Sequence, residues 1–346
     1  MTRPAPCARW VRADAAMPSF VRTQEVEHAI GRDGRVALRV TSPEVELRAV
    51  DGEVARVRIE FDIRSASDAD ADAAFESLQF AVHRGNGVLE LTEPKRGSHG
   101  LASIAGILGI SSTRVETQVV VEIPRRAALA YTGVSADVTA VGLRGAQEYR
   151  TVSGDLVLTD GGGTIAVNGV SSDISLRADE PISLRANTVS GDLSVFAPRL
   201  EESRIVTVSG DIELEGDLGR DLAHRVESVS GDLSLGVVGG LTLEVRGLST
   251  DVAINLAHRS EGSRDRRRYV IGDGASSLLF SSMSGDVLVH TARRVAAPPP
   301  PPRPPAPPRP QPLSDGDRLE VLRALERGEI DVDEASRRLA RGGSGG

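Results

Sequence analysis

The segment IVTVSGDIEL, from Ile205 to Leu214, decides the fold, because its Ser-Gly-Asp triplet returns along the chain at nearly even spacing. Complete triplets begin at Ser153, Ser190, Ser209, Ser230 and Ser284, and related triplets begin at Ser135, Ser171 and Ser249. In chain order the steps are 18, 18, 19, 19, 21, 19 and 35 residues, the last close to two coils. A repeat of about twenty residues is typical of a solenoid, in which each coil buries its apolar face by stacking on its neighbours.

Within one repeat, apolar residues alternate with polar ones as they do along a strand. Val208, Ile212 and Leu214 share one parity, which predicts that they face the core. Thr207 falls on the opposite parity and is predicted to face solvent. Gly210 lies on the inward parity, where a turning backbone has little room for a Cβ atom. At equivalent positions in related triplets the residue is alanine, serine or threonine, which indicates that the corner also accepts small side chains.

A second apolar stretch lies between successive triplets, for example Leu241–Val245. Each coil is therefore predicted to hold two short strands, and the coils to stack into two facing sheets around a thin aliphatic core. Aromatic residues form only 3% of the chain, which fits a core of small β-branched side chains. The predicted fold is all-β, a two-sheet β-solenoid or β-helix with coils of about 18–21 residues.

Changes in composition divide the chain into six segments. They are a disordered N-terminus (1–18), a β-rich capping part with one short helix (19–124), the Ser-Gly-Asp solenoid (125–296), a proline-rich linker (297–312), a helical hairpin (313–341) and a disordered tail (342–346). The capping part is expected to close the N-terminal end of the solenoid, since solenoids need terminal caps. The linker is expected to be an extended polyproline II spacer.

The predicted hairpin carries an apolar stripe that so small a unit cannot bury by itself. The stripe residues are Leu319, Leu322, Leu325, Val332 and Leu339. Gly328 fits the end of the first helix, and Asp331 with Glu334 fits a capping box at the start of the second. The hairpin is therefore predicted to bind a protein partner or to mediate self-association.

Charge and composition exclude several classes of protein. A net charge of −8 and a pI near 5.4 argue against nucleic-acid binding. A single cysteine, Cys7, excludes an intrachain disulfide and a thiolate metal cluster. The first eighteen residues lack the apolar core of a signal peptide. No apolar run is long enough to span a bilayer. We therefore expect a cytoplasmic protein without a transmembrane segment, with an envelope-associated location as the alternative.

Two segments together resemble a known bacterial family. The run from Val119 to Pro124, followed by repeated Val-Ser-Gly-Asp, is similar to the DUF4097 putative-adhesin β-solenoid family. The segment Leu319–Ala335 resembles the SHOCT-like helical hairpin often attached to that family, usually described at the N-terminus and here C-terminal. The resemblance implies a link to envelope stress or surface binding in some members, and it supplies no catalytic residues.

Two sets of charged residues are candidate sites. The triplet carboxylates Asp155, Asp192, Asp211, Asp232 and Asp286, with Asp137, Asp173 and Asp251, would stack one coil apart. We interpret them first as braces of the corner turns, and alternatively as a face for cations or a basic partner. Arg264, Arg266, Arg267 and Arg268 are expected on a solvated loop, with anionic lipid headgroups or phosphate as the alternative ligand. Peripheral membrane contact is thus one predicted interaction.

No catalytic constellation is evident in the sequence. The histidines lack metal-ligand spacing, and no nucleophile elbow or phosphate loop occurs. The leading hypothesis is a non-enzymatic β-solenoid scaffold or binding module that needs no cofactor or metal. The alternatives are an exported surface adhesin and a carbohydrate-active β-helix enzyme. The enzyme is disfavoured by the scarcity of aromatic side chains for stacking against sugars.

Overall fold

The computed structural model describes residues 18–94, 114–220, 222–263 and 266–292. Among these residues, Asp68–Leu78 form the helix α1. The first strands are β1 (Ser19–Ala29), β2 (Arg35–Arg39), β3 (Glu44–Val50), β4 (Val54–Arg64), β5 (Ala81–Gly85), β6 (Val88–Thr92), β7 (Arg114–Pro124), β8 (Ala128–Thr132), β9 (Val138–Val141) and β10 (Gln147–Arg150). The next are β11 (Leu156–Asn168), β12 (Ile174–Asn187), β13 (Leu193–Val206), β14 (Ile212–Leu218), β15 (His224–Glu227) and β16 (Leu233–Val237). The last are β17 (Leu241–Ser249), β18 (Val252–Ile254), β19 (His258–Ser263), β20 (Arg266–Ile271), β21 (Ser276–Ser284) and β22 (Val287–Thr291). The predicted linker and helical hairpin lie outside the described residues.

The strands form two long ladders that face each other. In spatial order, ladder one is β5, β6, β2, β8, β10, the ends of β11, β12 and β13, then β15, β21, β17, β20 and β19. Ladder two is β1, β4, β7, β3, β9, the starts of β11, β12 and β13, then β14, β16, β22 and β18. The strands β11 to β13 run through both ladders, so the strands form one continuous sheet folded on itself.

The core lies between the ladders and is mainly aliphatic, as the sequence predicts, although Tyr131, Tyr149, Phe61, Phe80 and Phe280 are also buried in it. Register places like residues above one another: Leu158 pairs with Leu176, and Leu176 pairs with Val195. The buried side chains of both ladders form a single hydrophobic cluster. Because parallel strands lie about 4.8 Å apart, each side chain packs on the next coil as well as on the facing ladder. The predicted two-sheet β-solenoid is confirmed.

Near each end of the solenoid, one coil is inserted out of sequence order. At the C-terminal end, the coil of β21 and β22 lies between the coil of β15 and β16 and the coil of β17 and β18. At the N-terminal end, the coil of β2 and β3 lies between β6 and β7 on one side and β8 and β9 on the other. Each inserted coil is hydrogen-bonded on both sides, which protects it from fraying.

The inserted C-terminal coil corrects the simplest interpretation of the triplet spacing. The Ser284 triplet does not follow the Ser249 triplet in space, because Ser284 forms a bridge with Ser230. The long interval between these two triplets forms the hairpin of β19 and β20 instead of a further coil. Strand β20 pairs antiparallel with β17, and the hairpin thereby covers the parallel edge of ladder one.

The N-terminal part differs in one respect from the predicted capping part at 19–124. Its strands β2, β3, β6 and β7 belong to the parallel coils, so the ladders extend through the predicted boundary at residue 124. The outermost elements are antiparallel β1, β4 and β5. Helix α1 begins at the N-cap Ser67, and its Phe75 makes an edge contact with Phe61 at 5.5 Å between ring centroids. Antiparallel strands and the helix together end the stack.

Candidate functional site at the Ser-Gly-Asp edge

Every Ser-Gly-Asp corner lies on the same edge of the solenoid, where the chain passes from ladder one to ladder two. In the repeat from Ile205 to Leu214, Thr207 is 3% exposed, and its Oγ1 donates to the Ser209 carbonyl oxygen at 3.1 Å. Val208 is 46% exposed. The predicted orientations of these two residues are therefore wrong. The alternation of the strand breaks at the turn, and a threonine hydroxyl can satisfy a turn carbonyl inside the corner whereas valine cannot.

The corner glycines are required by backbone geometry. Gly210 has φ +123°, and a Cβ atom there would lie 2.2 Å from the Gly191 carbonyl oxygen of the preceding coil. The corners with Ala136, Ser172 and Thr250 lack this positive φ. The corner position accepts small side chains, as the sequence indicates, where the corner backbone has a different conformation. Close stacking of the coils depends on glycine at the corners with positive φ.

The aspartates form an unbroken series on this edge, which we call the aspartate column. In spatial order it is Asp137, Asp155, Asp173, Asp192, Asp211, Asp232, Asp286 and Asp251. Within it, an Oδ1 atom typically accepts a hydrogen bond from the backbone N–H of the next aspartate. Asp211 Oδ1, for example, accepts from Asp232 N at 3.0 Å. The carboxylates thus brace one coil against the next, because these hydrogen bonds join adjacent coils and do not close the aspartates' own turns.

Two substitutions of one aspartate distinguish the stabilising effect of its hydrogen bond from the effect of its charge. In Asp211→Asn the amide oxygen can still accept from the Asp232 N–H, so we expect an unchanged or slightly higher free energy of unfolding. In Asp211→Ala the acceptor is lost, and the free energy of unfolding should fall by about 0.5–1.5 kcal/mol. Urea denaturation of the two variants measures the difference. Equal destabilisation in both would contradict the bracing role.

A row of exposed apolar side chains runs beside the aspartate column, and we call it the valine ridge. In spatial order it is Val134, Val152, Val170, Val189, Val208, Val229, Met283 and Leu248. Their exposed fractions lie between 43% and 84%. At about 4.8 Å per coil the ridge is about 34 Å long. Sequence reasoning missed it, although an apolar residue before almost every polar corner triplet was the available signal.

The arginine cluster lies on strands, and the predicted solvated loop is wrong for the described members. Arg266, Arg267 and Arg268 belong to β20, because this segment pairs antiparallel with both β17 and β19. Arg266 Nε donates to Glu244 Oε1 at 2.8 Å, and Arg267 donates to the Thr250 carbonyl oxygen at 2.5 Å. Arg264 lies outside the described residues. Two of the four arginines are thus held by partners within the fold.

The described residues contain no group of three or more His, Cys, Asp or Glu side chains that could hold a metal ion. Within the same residues, no helix has the length and apolarity needed to cross a membrane. A surface cavity of about 590 Å³ lies on the outer face of ladder two near its N-terminal end. Its charged groups are paired: Arg58 with Glu25 at 2.7 Å and Arg56 with Glu27 at 3.4 Å. This cavity therefore offers balanced charge.

A buried histidine makes stability depend on pH. His224 is buried in ladder one, with Nδ1 2.9 Å from Ser203 Oγ and Nε2 3.1 Å from the Gly219 carbonyl oxygen. Burial lowers the pKa of His224 below its ordinary value, although the Gly219 carbonyl opposes the shift. Below about pH 6.5 the unfolded chain therefore binds a proton that the folded chain does not.

We expect the free energy of unfolding to fall as pH drops from 7 through 6.5. The slope should be at most about 1.4 kcal/mol per pH unit. In His224→Asn this contribution disappears, so the slope should flatten even though the variant is less stable overall. Urea denaturation between pH 5.5 and 7.5 measures both slopes. An identical slope in the variant would remove His224 as the cause.

A comparison with known protein families agrees with the architecture. A family model described as Toastrack DUF4097 matches residues 35–290. No curated protein matches the chain significantly. Among solved structures, a "putative lipid binding protein" from Parabacteroides distasonis is 12% identical, with a TM-score of 0.37, covering 78% of this chain and 97% of that chain.

Two structures described as adhesins show similar values. A "putative adhesin" from Parabacteroides distasonis is 11% identical with a TM-score of 0.39, covering 77% of this chain and 97% of that chain. A "putative adhesin" from Bacteroides fragilis is 12% identical with a TM-score of 0.34, covering 78% and 97% of the two chains.

Proposed function

The chain belongs to the Toastrack DUF4097 family, and we propose that it is a non-enzymatic scaffold that docks a protein partner on the valine ridge. The observation that carries this proposal is the ridge itself. Contiguous exposed apolar surface on a soluble protein marks an interaction site, whereas scattered apolar residues do not. Six of the eight ridge side chains are valine, which has few χ1 rotamers. Docking on such a rigid surface costs little side-chain entropy.

Capture experiments with matched variants test the ridge. The ridge variant carries Val170→Thr, Val189→Thr and Val208→Thr, which preserve branching at Cβ while adding hydroxyl groups. The control carries Val157→Thr and Leu288→Thr on the outer face of ladder two, where these side chains are 36% and 40% exposed. We expect proteins captured by the intact chain to be lost with the ridge variant and retained with the control. Unchanged capture by the ridge variant would contradict the proposal.

We propose that the C-terminal segment adds a tethered interaction element. Its support is the sequence alone: the proline run at 297–312 and the apolar stripe of the predicted hairpin at 313–341. A chain ending at Ala296 is expected to lose self-association or a subset of partners. Leu322→Asp should have the same effect, because a carboxylate in an apolar seam is desolvated without a partner. Sedimentation and capture measurements on both proteins, compared with the intact chain, distinguish these effects.

The location of the protein in the cell distinguishes the proposed scaffold from an exported adhesin. We propose a cytoplasmic scaffold with a role in envelope stress, and an exported adhesin is the alternative. Cell fractionation followed by immunoblotting decides between them, since an adhesin must appear at the cell surface. A glycan array addresses the carbohydrate-active enzyme. We expect no glycan to bind, and specific binding of one glycan would reopen that alternative.

A further inference from the structure

We propose that the occupant of the valine ridge is a basic amphipathic α-helix, lying along the solenoid axis with its Lys or Arg flank over the aspartate column. This inference rests on the proposed docking function and adds the chemistry of the partner. The ridge and the column run side by side, because each coil places the aspartate three residues after the ridge residue. An apolar stripe bordered by carboxylates is complementary to an apolar stripe bordered by cations.

The negative charges of the aspartate column favour a cationic partner. Its aspartates are exposed, and neighbours stand about 4.8 Å apart along the axis. Oδ1 atoms are used by backbone N–H groups, as Asp192 Oδ1 is by Asp211 N at 2.9 Å. The second carboxylate oxygen is left for a ligand, and like charges held in line repel one another. A partner that brings cations along this line relieves the repulsion.

The spacing of the ridge favours a helix over an extended strand. Four coils span three steps, or about 14 Å. Three turns of an α-helix rise about 16 Å, so its apolar stripe stays close to the ridge over this length. Three same-face repeats of an extended strand advance about 20 Å and drift by more than one coil. A helix can therefore keep its apolar side chains against several coils at once.

A second copy of this chain is less complementary in charge to the ridge and the aspartate column than a basic helix is. If two ridges packed antiparallel, one aspartate column would lie directly against the other. If they packed parallel, the column would face the ladder-one residues that precede the ridge, which include Arg150 and Arg246 but also Glu227. The next outward row of ladder one mixes Arg185, Arg204 and Arg225 with Glu148 and Glu244, so a second copy would bring carboxylates as well as cations to the column. The charge pattern therefore points to a partner richer in lysine or arginine than this edge itself.

The proposal is tested with peptides of defined chemistry and the full chain. The probe is a helical peptide of about sixteen residues with a leucine stripe flanked by lysines, and its counterpart carries glutamates in place of the lysines. The column variant carries Asp192→Asn, Asp211→Asn and Asp232→Asn, which keep an oxygen to accept each backbone hydrogen bond. Titration calorimetry at low and physiological salt measures binding, and circular dichroism confirms that each variant is folded.

We expect the lysine peptide to bind the intact chain, and the glutamate peptide not to bind. The column variant should bind about tenfold more weakly, and its binding should depend less on salt. The ridge variant should bind at least tenfold more weakly than the intact chain. Failure of the lysine peptide to bind, or equal binding by the column variant, overturns the basic helix. If ridge-dependent capture persists in that case, the docking function still stands. Ridge-dependent dimers of the intact chain would instead assign a second copy as the occupant.

Discussion

Gly210→Ala is expected to lower the free energy of unfolding by about 3 kcal/mol. The added Cβ atom would lie 2.2 Å from the Gly191 carbonyl oxygen, and the alanine would have to adopt φ +123°. Both costs arise at the contact between coils, so relief of one by a backbone shift disturbs the stacking. Equilibrium urea denaturation, followed by far-UV circular dichroism, measures the loss.

Gly169→Ala is the matched control, because it lies close to the same edge. Gly169 lacks a positive φ, and the nearest atom to its added Cβ would be 3.6 Å away, an ordinary contact. The equivalent position in neighbouring coils carries a buried threonine, such as Thr188. We expect a change within about 0.5 kcal/mol of the parent. Equal stability losses in the two variants would show that the corner glycines have no special role.

Removal of the inserted C-terminal coil is expected to have the largest effect. A chain that ends at Gly274 lacks β21 and β22, which separate two other coils in both ladders. It loses the fully buried side chains of Leu278, Phe280, Val287 and Val289. At about 1.5–3 kcal/mol for each, their burial contributes about 6–12 kcal/mol. The remaining C-terminal coils should unfold.

The comparison chain ends at Ala296 and keeps both strands. Its melting temperature should match that of the intact chain, since every described strand is present. Differential scanning calorimetry and amide hydrogen exchange compare the two truncated proteins. The shorter chain should show rapid exchange in residues 224–254, where β15 to β18 lose a neighbour. Equal protection of this segment in both proteins would show that the inserted coil is dispensable.

The architecture could be predicted from the sequence because each Ser-Gly-Asp triplet marks a corner of the backbone between two strands. A corner at about every nineteenth residue, with apolar residues on either side, fixes two strands per coil and an aliphatic core. The order of the coils could not be predicted in the same way. Ser230, Ser249 and Ser284 begin nearly identical triplets, so nothing local distinguishes the coil that follows in the chain from the coil that follows in space.

The candidate site was predicted in part. The aspartate column followed from the repeat, since residues at equivalent positions stack in any solenoid. The valine ridge was missed because strand alternation was carried through the corner from Ile212 to Val208. The turn breaks that alternation, and Thr207 is buried while Val208 is exposed. Only the backbone path through the corner shows which of the two side chains reaches solvent.

Disulfide formation between engineered cysteines measures the coil order at the C-terminal end of the solenoid, which places Met283 in the ridge and Asp286 in the column. In a Cys7→Ser background, one variant carries Ser230→Cys and Ser284→Cys, and the other carries Ser230→Cys and Ser249→Cys. Ser230 bridges Ser284 directly, and serine hydroxyls of adjacent corners meet elsewhere on this edge, as Ser153 and Ser135 do at 3.1 Å. Adjacent coils place Cα atoms about 4.8 Å apart, within the range for a disulfide. Two coils place them about 9.6 Å apart, outside it.

Brief oxidation of the folded protein, followed by mass spectrometry of peptides, gives the answer. We predict rapid formation of the disulfide between positions 230 and 284 and none between positions 230 and 249. The opposite result would mean that the coils stack in chain order, and that Met283 and Asp286 do not lie between the neighbouring coils of the ridge and the column as described.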